Sequence, residues 1–186
     1  MKKILYTYIQ RMKGGERHPP QRKFSKVMWS WLGAFFGIYT ISVLNEAMGT
    51  DHTDSMLMLA PFGASSVLIY AAPHAEFSQP RNFVAGHFIS TIIGVSVYEF
   101  LPFDVAILSA IAVSIAIVVM YYSNTLHPPG GATALAVVVG SPQMHEAGYM
   151  FAFSPILLDC FVLLLIALFI NNLSNNPKRH YPRYWF

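Results

Sequence analysis

Four apolar runs dominate the chain, at residues 27–44, 82–100, 104–122 and 155–173. About 20 apolar residues, at roughly 1.5 Å per helical residue, cover the ~30 Å of hydrocarbon in a bilayer. In that medium only a helix or a closed barrel satisfies its own backbone. Four such runs in succession exclude a soluble domain. The composition agrees, because 54% of residues are hydrophobic and only 11% charged, less than half the charge of ordinary globular chains. The expected fold class is an all-α membrane protein.

Two further apolar stretches are interrupted by proline and glycine, SMLMLAPFGASSVLIYAA at 55–72 and NTLHPPGGATALAVVVG at 124–140. Laid over each other without a gap, APFGASSV (60–67) matches PPGGATAL (128–135) in proline, glycine, alanine and a hydroxyl residue at the same offsets. Each interrupted stretch lies between two full runs, which gives two repeats of span, broken element, span. The expected architecture is four full spans plus two discontinuous elements arranged as inverted repeats. Corresponding Gly/Pro interruptions of this kind mark the binding site in transporter folds.

The local chemistry predicts how each interruption behaves. Proline lacks an N–H and favours a first helical turn, and it pushes the preceding residue out of the α region. His127 and Pro128 are therefore expected to be extended, with a half-helix from Ala132 to Gly140. Ala60, Pro61 and Phe62 are expected to lead, also extended, into a second half-helix from Gly63 to Ala72. Gly130 and Gly131 permit close backbone approach. Two half-helix starts converging near mid-membrane would aim free N–H groups and partial positive charge at one spot, an anion-attracting site without a fixed cation.

The pathway residues expected from this reading are Pro61, Phe62, Gly63, Ala64, Ser65 and Ser66 in the first element, and His127, Pro128, Pro129, Gly130, Gly131, Ala132 and Thr133 in the second, joined by His87 and Arg81. The hydroxyls of Ser65, Ser66 and Thr133 serve either a ligand or their own backbone one turn earlier. His87 lies inside a span and His127 just before the half-helix; each could donate to an anion or shuttle a proton, or could make a structural hydrogen bond. Arg81 reads as a topology anchor or as a mouth residue. Asp159, close after Ser154 and Pro155, reads as a shallow carboxylate reached by water. A second His-Pro-Pro triplet at residues 18–20 has no apolar run after it and is assigned no site.

Basic residues set the orientation. Eight of the twelve Lys and Arg lie in residues 2–26 and three in 178–183, leaving Arg81 alone between. Both termini should then be cytoplasmic, in a multi-pass protein of a bacterial inner or plasma membrane. That requires an even number of crossings. Six is preferred, with both broken elements crossing, and four results if both re-enter. The organisation is a basic N-terminal tail at 1–26, without a cleavable leader, a transmembrane domain at 27–175 and a short tail at 176–186. Cys160 lies in an apolar run and reads as a buried hydrophobe.

LHPPGGATAL (126–135), LAPFGASSVL (59–68) and QPRNFVAGH (79–87) together resemble the HPP family of small integral membrane proteins, over roughly residues 27–175. Members are usually described as having four spans. The resemblance implies nitrite transport, the activity assigned to members in cyanobacteria and chloroplasts. Some members carry an added regulatory domain, which is not expected in a chain whose tail ends at Phe186.

The function expected is a channel or secondary transporter for a small anion, nitrite foremost, or for its conjugate acid. A pore for a neutral solute such as water, urea or ammonia shares the architecture. A membrane-embedded metal enzyme is the remote alternative, since there is no HExxH pair, Cys/His cluster or G-x-S-x-G elbow. No enzyme activity, cofactor, metal or nucleic-acid partner is expected. The partners are the anion, the bilayer and, through small-residue faces, a second copy of the chain.

Overall fold

The computed structural model describes residues 2–13, 20–50 and 52–186, and its regular structure is helical. A short helix α1 (Lys2–Arg11) precedes α2 (Phe24–Ala47), and α3 (His52–Ser66) runs on through a wide π-turn at Val67–Ala71. A single 3-10 turn (Glu76–Ser78) leads into α4 (Pro80–Phe100), followed by α5 (Val105–Tyr122), α6 (Pro128–Val139) and α7 (Pro142–Ala147). A wide turn at Ala152–Leu157 opens the last long element, α8 (Leu158–Asn172). Asp104 caps α5 by accepting from the N–H groups of Ala106 and Ile107, and Ser141 caps α7 through Met144. The His-Pro-Pro triplet at 18–20 falls largely outside the described residues.

Five of these elements are long and apolar enough to cross a membrane, at Phe24–Ala47, His52–Ala71, Pro80–Phe100, Val105–Tyr122 and Ala152–Asn172, with Pro128–Val139 as a shorter apolar helix. The four apolar runs appear as helices. The first interrupted stretch does not break: Ala60, Pro61 and Phe62 lie inside α3, so there is no half-helix starting at Gly63. An internal proline forfeits one helical hydrogen bond and costs ~3 kcal/mol. An extended break would strand several backbone groups in hydrocarbon at several kcal/mol each, so continuity is cheaper.

The second interruption is real, with a shifted boundary. Asn124 at φ 53° turns the chain out of α5, and His127 is extended at φ −137°, ψ 102°. Pro128 is the first helical residue rather than an extended one, because its fixed φ suits the first turn. The half-helix is therefore 12 residues long, Pro128–Val139. Ser154, at φ −139°, ψ 122°, interrupts the Ala152–Leu157 turn, a second discontinuity that lies in the last span and not in the third helix.

Two apolar clusters share the bundle: one joins residues of α2, α3, α4 and α8 with Ala136 and Val137 of α6 and Met144 of α7, the other residues of α4, α5 and α6. The seam of α4 with α6 is built on glycine. A Cβ on Gly86 would stand 2.5 Å from the His127 Cβ, and one on Gly130 would stand 2.7 Å from Ser90 Oγ and 2.9 Å from Gly86 O. Further along, a Cβ on Gly94 would stand 2.9 Å from Ala134 O and from Val137 Cβ. The meeting of 86 with 127 and of 94 with 134–137 makes the two helices parallel. Segment 124–139 thus runs in the same direction as α4, and the start of α2 and the end of α8 come out at one end of the bundle. There the Arg179 guanidinium donates to Lys26 O (3.2 Å), Ser30 Oγ (3.1 Å), Tyr70 O (3.1 Å) and Asn171 Oδ1 (2.8 Å).

Candidate site: a buried His–Ser–His–Thr chain

Three elements bring the polar groups together. Ser65 comes from the last turns of α3, His87 from α4 about 10 Å past its start at 1.5 Å per residue, and His127 and Thr133 from the two sides of the α6 N-terminus. All four side chains are 0% exposed. Ser65 Oγ lies 2.8 Å from His87 Nε2 and 2.8 Å from His127 Nε2. His87 Nδ1 lies 2.7 Å from Thr133 Oγ1, and His127 Nδ1 donates to Phe77 O at 2.6 Å.

The gap-free correspondence of the two motifs has a spatial meaning. It pairs Pro61 with Pro129 and Ser65 with Thr133, and these two hydroxyls sit on the two nitrogens of His87. Each is also placed to bond one turn back on its own helix, Ser65 to Pro61 O at 3.1 Å and Thr133 to Pro129 O at 3.3 Å. Both uses anticipated for these hydroxyls, backbone and partner, are therefore within reach of the same atoms.

Aromatic rings close the cluster against water. Phe62 stacks on His87 with centroids 4.6 Å apart and planes 20° apart, and Phe83 presents its ring edge-to-face to His87 at 5.3 Å and to His127 at 5.4 Å. Among the described residues no carboxylate, lysine or arginine hydrogen-bonds either imidazole. The carbonyl of Phe77 is held in place from the tail: Tyr181 donates its hydroxyl to Ser78 O (2.7 Å), and the Arg183 N–H donates to Gln79 Oε1 (2.8 Å).

The bare helix-start donors expected at mid-membrane are absent from the first turn of α6. Pro128 and Pro129 have no N–H, and the Gly130 N–H donates to His127 O at 2.8 Å. With α3 continuous, the converging second start is missing as well. The site's hydrogen-bonding capacity resides in side chains. Of the expected pathway residues, Phe62, Ser65, His87, His127 and Thr133 meet, with the carbonyls of Pro61 and Pro129 beside them and Gly130 permitting the approach of α6 to α4. Gly63 and Gly131 are half-buried, and Ala64, Pro128 and Ala132 are exposed. Ser66 is buried with no hydrogen-bond partner for its hydroxyl. Arg81 is exposed and donates to Ser123 O at 2.9 Å, tying the α4 start to the α5 end.

Asp159 is not shallow; it is 0% exposed. Asn45 of α2 covers it and donates from Nδ2 to Asp159 Oδ2 at 3.0 Å, while Asp159 Oδ1 and Asn45 Oδ1 have no partner. Helical structure before Ser154 buries what a helix beginning at Pro155 would have left near the surface. The Phe77 carbonyl and the Phe83 ring were not foreseen as site groups, since neither stands in a motif and both arrive by tertiary packing. A groove of about 510 Å³ lies beside the site along α5 and α6, lined by Phe77, Met120, Leu126, Pro128 and Gly131 among others.

The model of the HPP transmembrane region matches residues 19–182. A transmembrane protein of Dictyostelium discoideum is 36% identical over 189 residues, covering 100% of this chain and 60% of the relative. A second transmembrane protein of the same organism is 38% identical over 178 residues, covering 93% of this chain and 60% of the relative. The chain thus spans about 60% of the length of the curated relatives it matches. No solved structure matches it.

Proposed function

The chain belongs to the HPP transmembrane family, and from that premise we propose that it transports a small weak-acid anion, nitrite foremost, or its conjugate acid, past His87 and His127. It is a multi-pass integral membrane protein. The observation that carries the reading is the buried chain of Ser65, His87, His127 and Thr133, polar and free of bonded charge, between two elements of membrane-spanning length and the start of the shorter apolar helix α6. Ionisable side chains at such depth are costly and mark solute or proton pathways. A site of neutral imidazoles and hydroxyls holds a solute by exchangeable hydrogen bonds, and weak binding is what passage requires. It suits a monoanion that arrives with its proton better than one that needs a fixed counter-charge.

The paired motifs support reading α2–α3–α4 and α5–α6–α8 as inverted repeats whose corresponding hydroxyls, Ser65 and Thr133, grip one histidine. The groove beside Phe77 is the natural approach from the basic end, which we orient toward the cytoplasm. The test is uptake by vesicles containing the purified full chain, with nitrite, nitrate, formate and chloride compared across pH against protein-free vesicles. Nitrite should enter well above the protein-free rate and ahead of chloride. Anion rates equal to those of empty vesicles for all four would overturn the reading. A neutral solute, the second reading, is favoured by the lack of any charged group bonded to the rings; water or urea permeation without anion flux would establish it instead.

A further inference from the structure

We propose that His87, Ser65 and His127 form a directional one-proton relay, with Thr133 and the Phe77 carbonyl as its two ends. The inference deepens the transport reading by naming the coupling ion, and its flux test rests on that reading.

Hydrogen-bond valence settles the direction of every proton in the neutral chain. A carbonyl only accepts, so at 2.6 Å from Phe77 O the proton must sit on His127 Nδ1. His127 Nε2 is then bare and must receive the Ser65 hydroxyl proton across 2.8 Å. That hydroxyl has one proton, so Ser65 Oγ must accept from His87 Nε2–H, also at 2.8 Å. His87 Nδ1 is consequently bare and receives the Thr133 hydroxyl at 2.7 Å. The order Thr133 to His87 to Ser65 to His127 to Phe77 is the only one in which no two lone pairs and no two protons face each other. The two histidines are therefore opposite tautomers.

A proton delivered by a weak acid at the Thr133 end has one balanced route. The Thr133 hydroxyl turns to Pro129 O, 3.3 Å away, and the incoming proton bonds His87 Nδ1. The His87 Nε2–H bond breaks as that proton passes to Ser65 Oγ, and the former Ser65 proton passes to His127 Nε2. The weak acid leaves as its anion, His87 is neutral again with its proton on Nδ1, and His127 is an imidazolium still donating to Phe77 O; loss of that Nδ1 proton to the anion once it has reached the Phe77 end leaves the pair neutral and completes the transfer. Charge has moved between rings whose centroids are 5.0 Å apart, and every polar atom keeps a partner. A second proton would place two cations at that separation inside a dry cluster, which limits the pair to one. Apart from the two rings, no titratable or charged group among the described residues hydrogen-bonds a member of the relay; the neighbours of the rings are Phe62 and Phe83.

Two measurements on the full chain in lipid test this. In nitrogen-15 spectra of histidine-labelled protein, assigned by difference with His87→Gln and His127→Gln, His87 should appear as the Nε2–H tautomer and His127 as the Nδ1–H tautomer. Ser65→Ala should switch His87 to Nδ1–H, bonded to Thr133, and Ser65→Thr should restore the wild-type pattern. Equal tautomers in the wild type, or an unmoved His87 in Ser65→Ala, overturns the relay whether or not any anion is carried. In vesicles holding a trapped pH indicator, an inward nitrite gradient should bring in one proton per nitrite above the protein-free rate, and Ser65→Ala should lower that proton entry at least tenfold. Nitrite entry without protons, or unchanged proton entry in Ser65→Ala, overturns the relay and leaves transport standing. Absence of all anion flux defeats the transport reading, and the tautomers then decide the relay alone.

Discussion

Ser65 and Thr133, on different helices, hold opposite nitrogens of the same imidazole, 2.8 Å from His87 Nε2 and 2.7 Å from His87 Nδ1. They occupy the same offset from a proline in the two matched motifs, and each can instead turn to that proline's carbonyl. A hydroxyl with a second acceptor one turn back keeps a partner for its own proton when it releases its histidine, and the ring nitrogen it leaves is satisfied once it takes up a proton and donates to that hydroxyl oxygen. Keeping every polar atom satisfied in either arrangement is what allows such a cluster to sit in a membrane-spanning bundle, where an unpaired group costs several kcal/mol.

The hydroxyls at the two ends of His87 should therefore be separable by substitution. Thr133→Val keeps the shape and leaves His87 Nδ1 without a donor, which costs ~1–3 kcal/mol. Thr133→Ser keeps the hydroxyl and should cost less than ~1 kcal/mol. Thermal melts in detergent give the ranking, and nitrite uptake by vesicles should fall for valine while serine stays within about twofold of wild type. Equal behaviour of the two variants would mean that the hydroxyl is not used.

The α4–α6 seam predicts opposite fates for neighbouring glycines. A methyl on Gly130 would stand 2.7 Å from Ser90 Oγ, 2.9 Å from Gly86 O and 3.0 Å from Met120 Sδ, and the carbonyl cannot rotate away. Gly130→Ala should destabilise by about 1–3 kcal/mol, as overpacking does. Gly131→Ala meets nothing nearer than Val113 Cγ1 at 3.7 Å and should be neutral or slightly stabilising. Detergent melting of the two variants side by side checks this. A harmless Gly130→Ala would contradict the close approach of the two helices.

The spans could be read from the sequence because apolar length alone decides whether a run crosses lipid. The motif correspondence could be read as well, and it located Ser65 and Thr133 without showing what they touch. Pro61 was misleading because the same dipeptide signals that break a helix in water lose their force where breaking strands further donors. Pro128 and Pro129 do start a helix, since two adjacent prolines remove two successive N–H groups and extended residues lead in. The depth of Asp159 was hidden by Asn45, whose cover comes from a helix more than a hundred residues earlier. The Phe77 carbonyl is invisible to any side-chain motif.

Continuity of α3 makes Pro61 dispensable for the path of the backbone. Pro61→Ala supplies an N–H for the carbonyl one turn back and should leave the fold intact, with a stability change between a loss of ~1 kcal/mol from lost ring packing and a gain of up to ~3 kcal/mol from the restored bond. Circular dichroism and melting in detergent would show unchanged helix content. Loss of helix or of folding would indicate that the proline ends a segment there after all.

Arg179 predicts how the tail is attached. Its guanidinium is buried and donates to four acceptors on α2, on the turn after α3 and on α8, with its Nε unpartnered. Arg179→Ala leaves Asn171 Oδ1 without a donor, leaves the Lys26 and Tyr70 carbonyls to Ser30 Oγ, and should cost about 1–3 kcal/mol, with faster proteolysis after residue 172. Arg179→Lys should recover less than half of the loss, because one ammonium cannot span a fork of four acceptors. Full recovery by lysine would reduce the role of the guanidinium to that of a point charge.

Asp159 and Asn45 face each other with one satisfied bond and two unpartnered oxygens, Asp159 Oδ1 and Asn45 Oδ1. Asp159→Asn keeps nearly the same shape, removes an ionisable group and brings an amide that can donate to the Asn45 oxygen. Because an unpartnered buried acceptor costs ~1–3 kcal/mol and a buried carboxylate more, the variant should melt at or above the wild-type temperature. Asp159→Leu leaves the Asn45 amide with no acceptor and should melt lower. The relay through Ser65 contains neither residue, so nitrite uptake by Asp159→Asn vesicles should stay within about twofold of wild type. A destabilised Asp159→Asn whose uptake falls tenfold would mean that the carboxylate holds a cation in the working cycle, and the pair would then join the transport site.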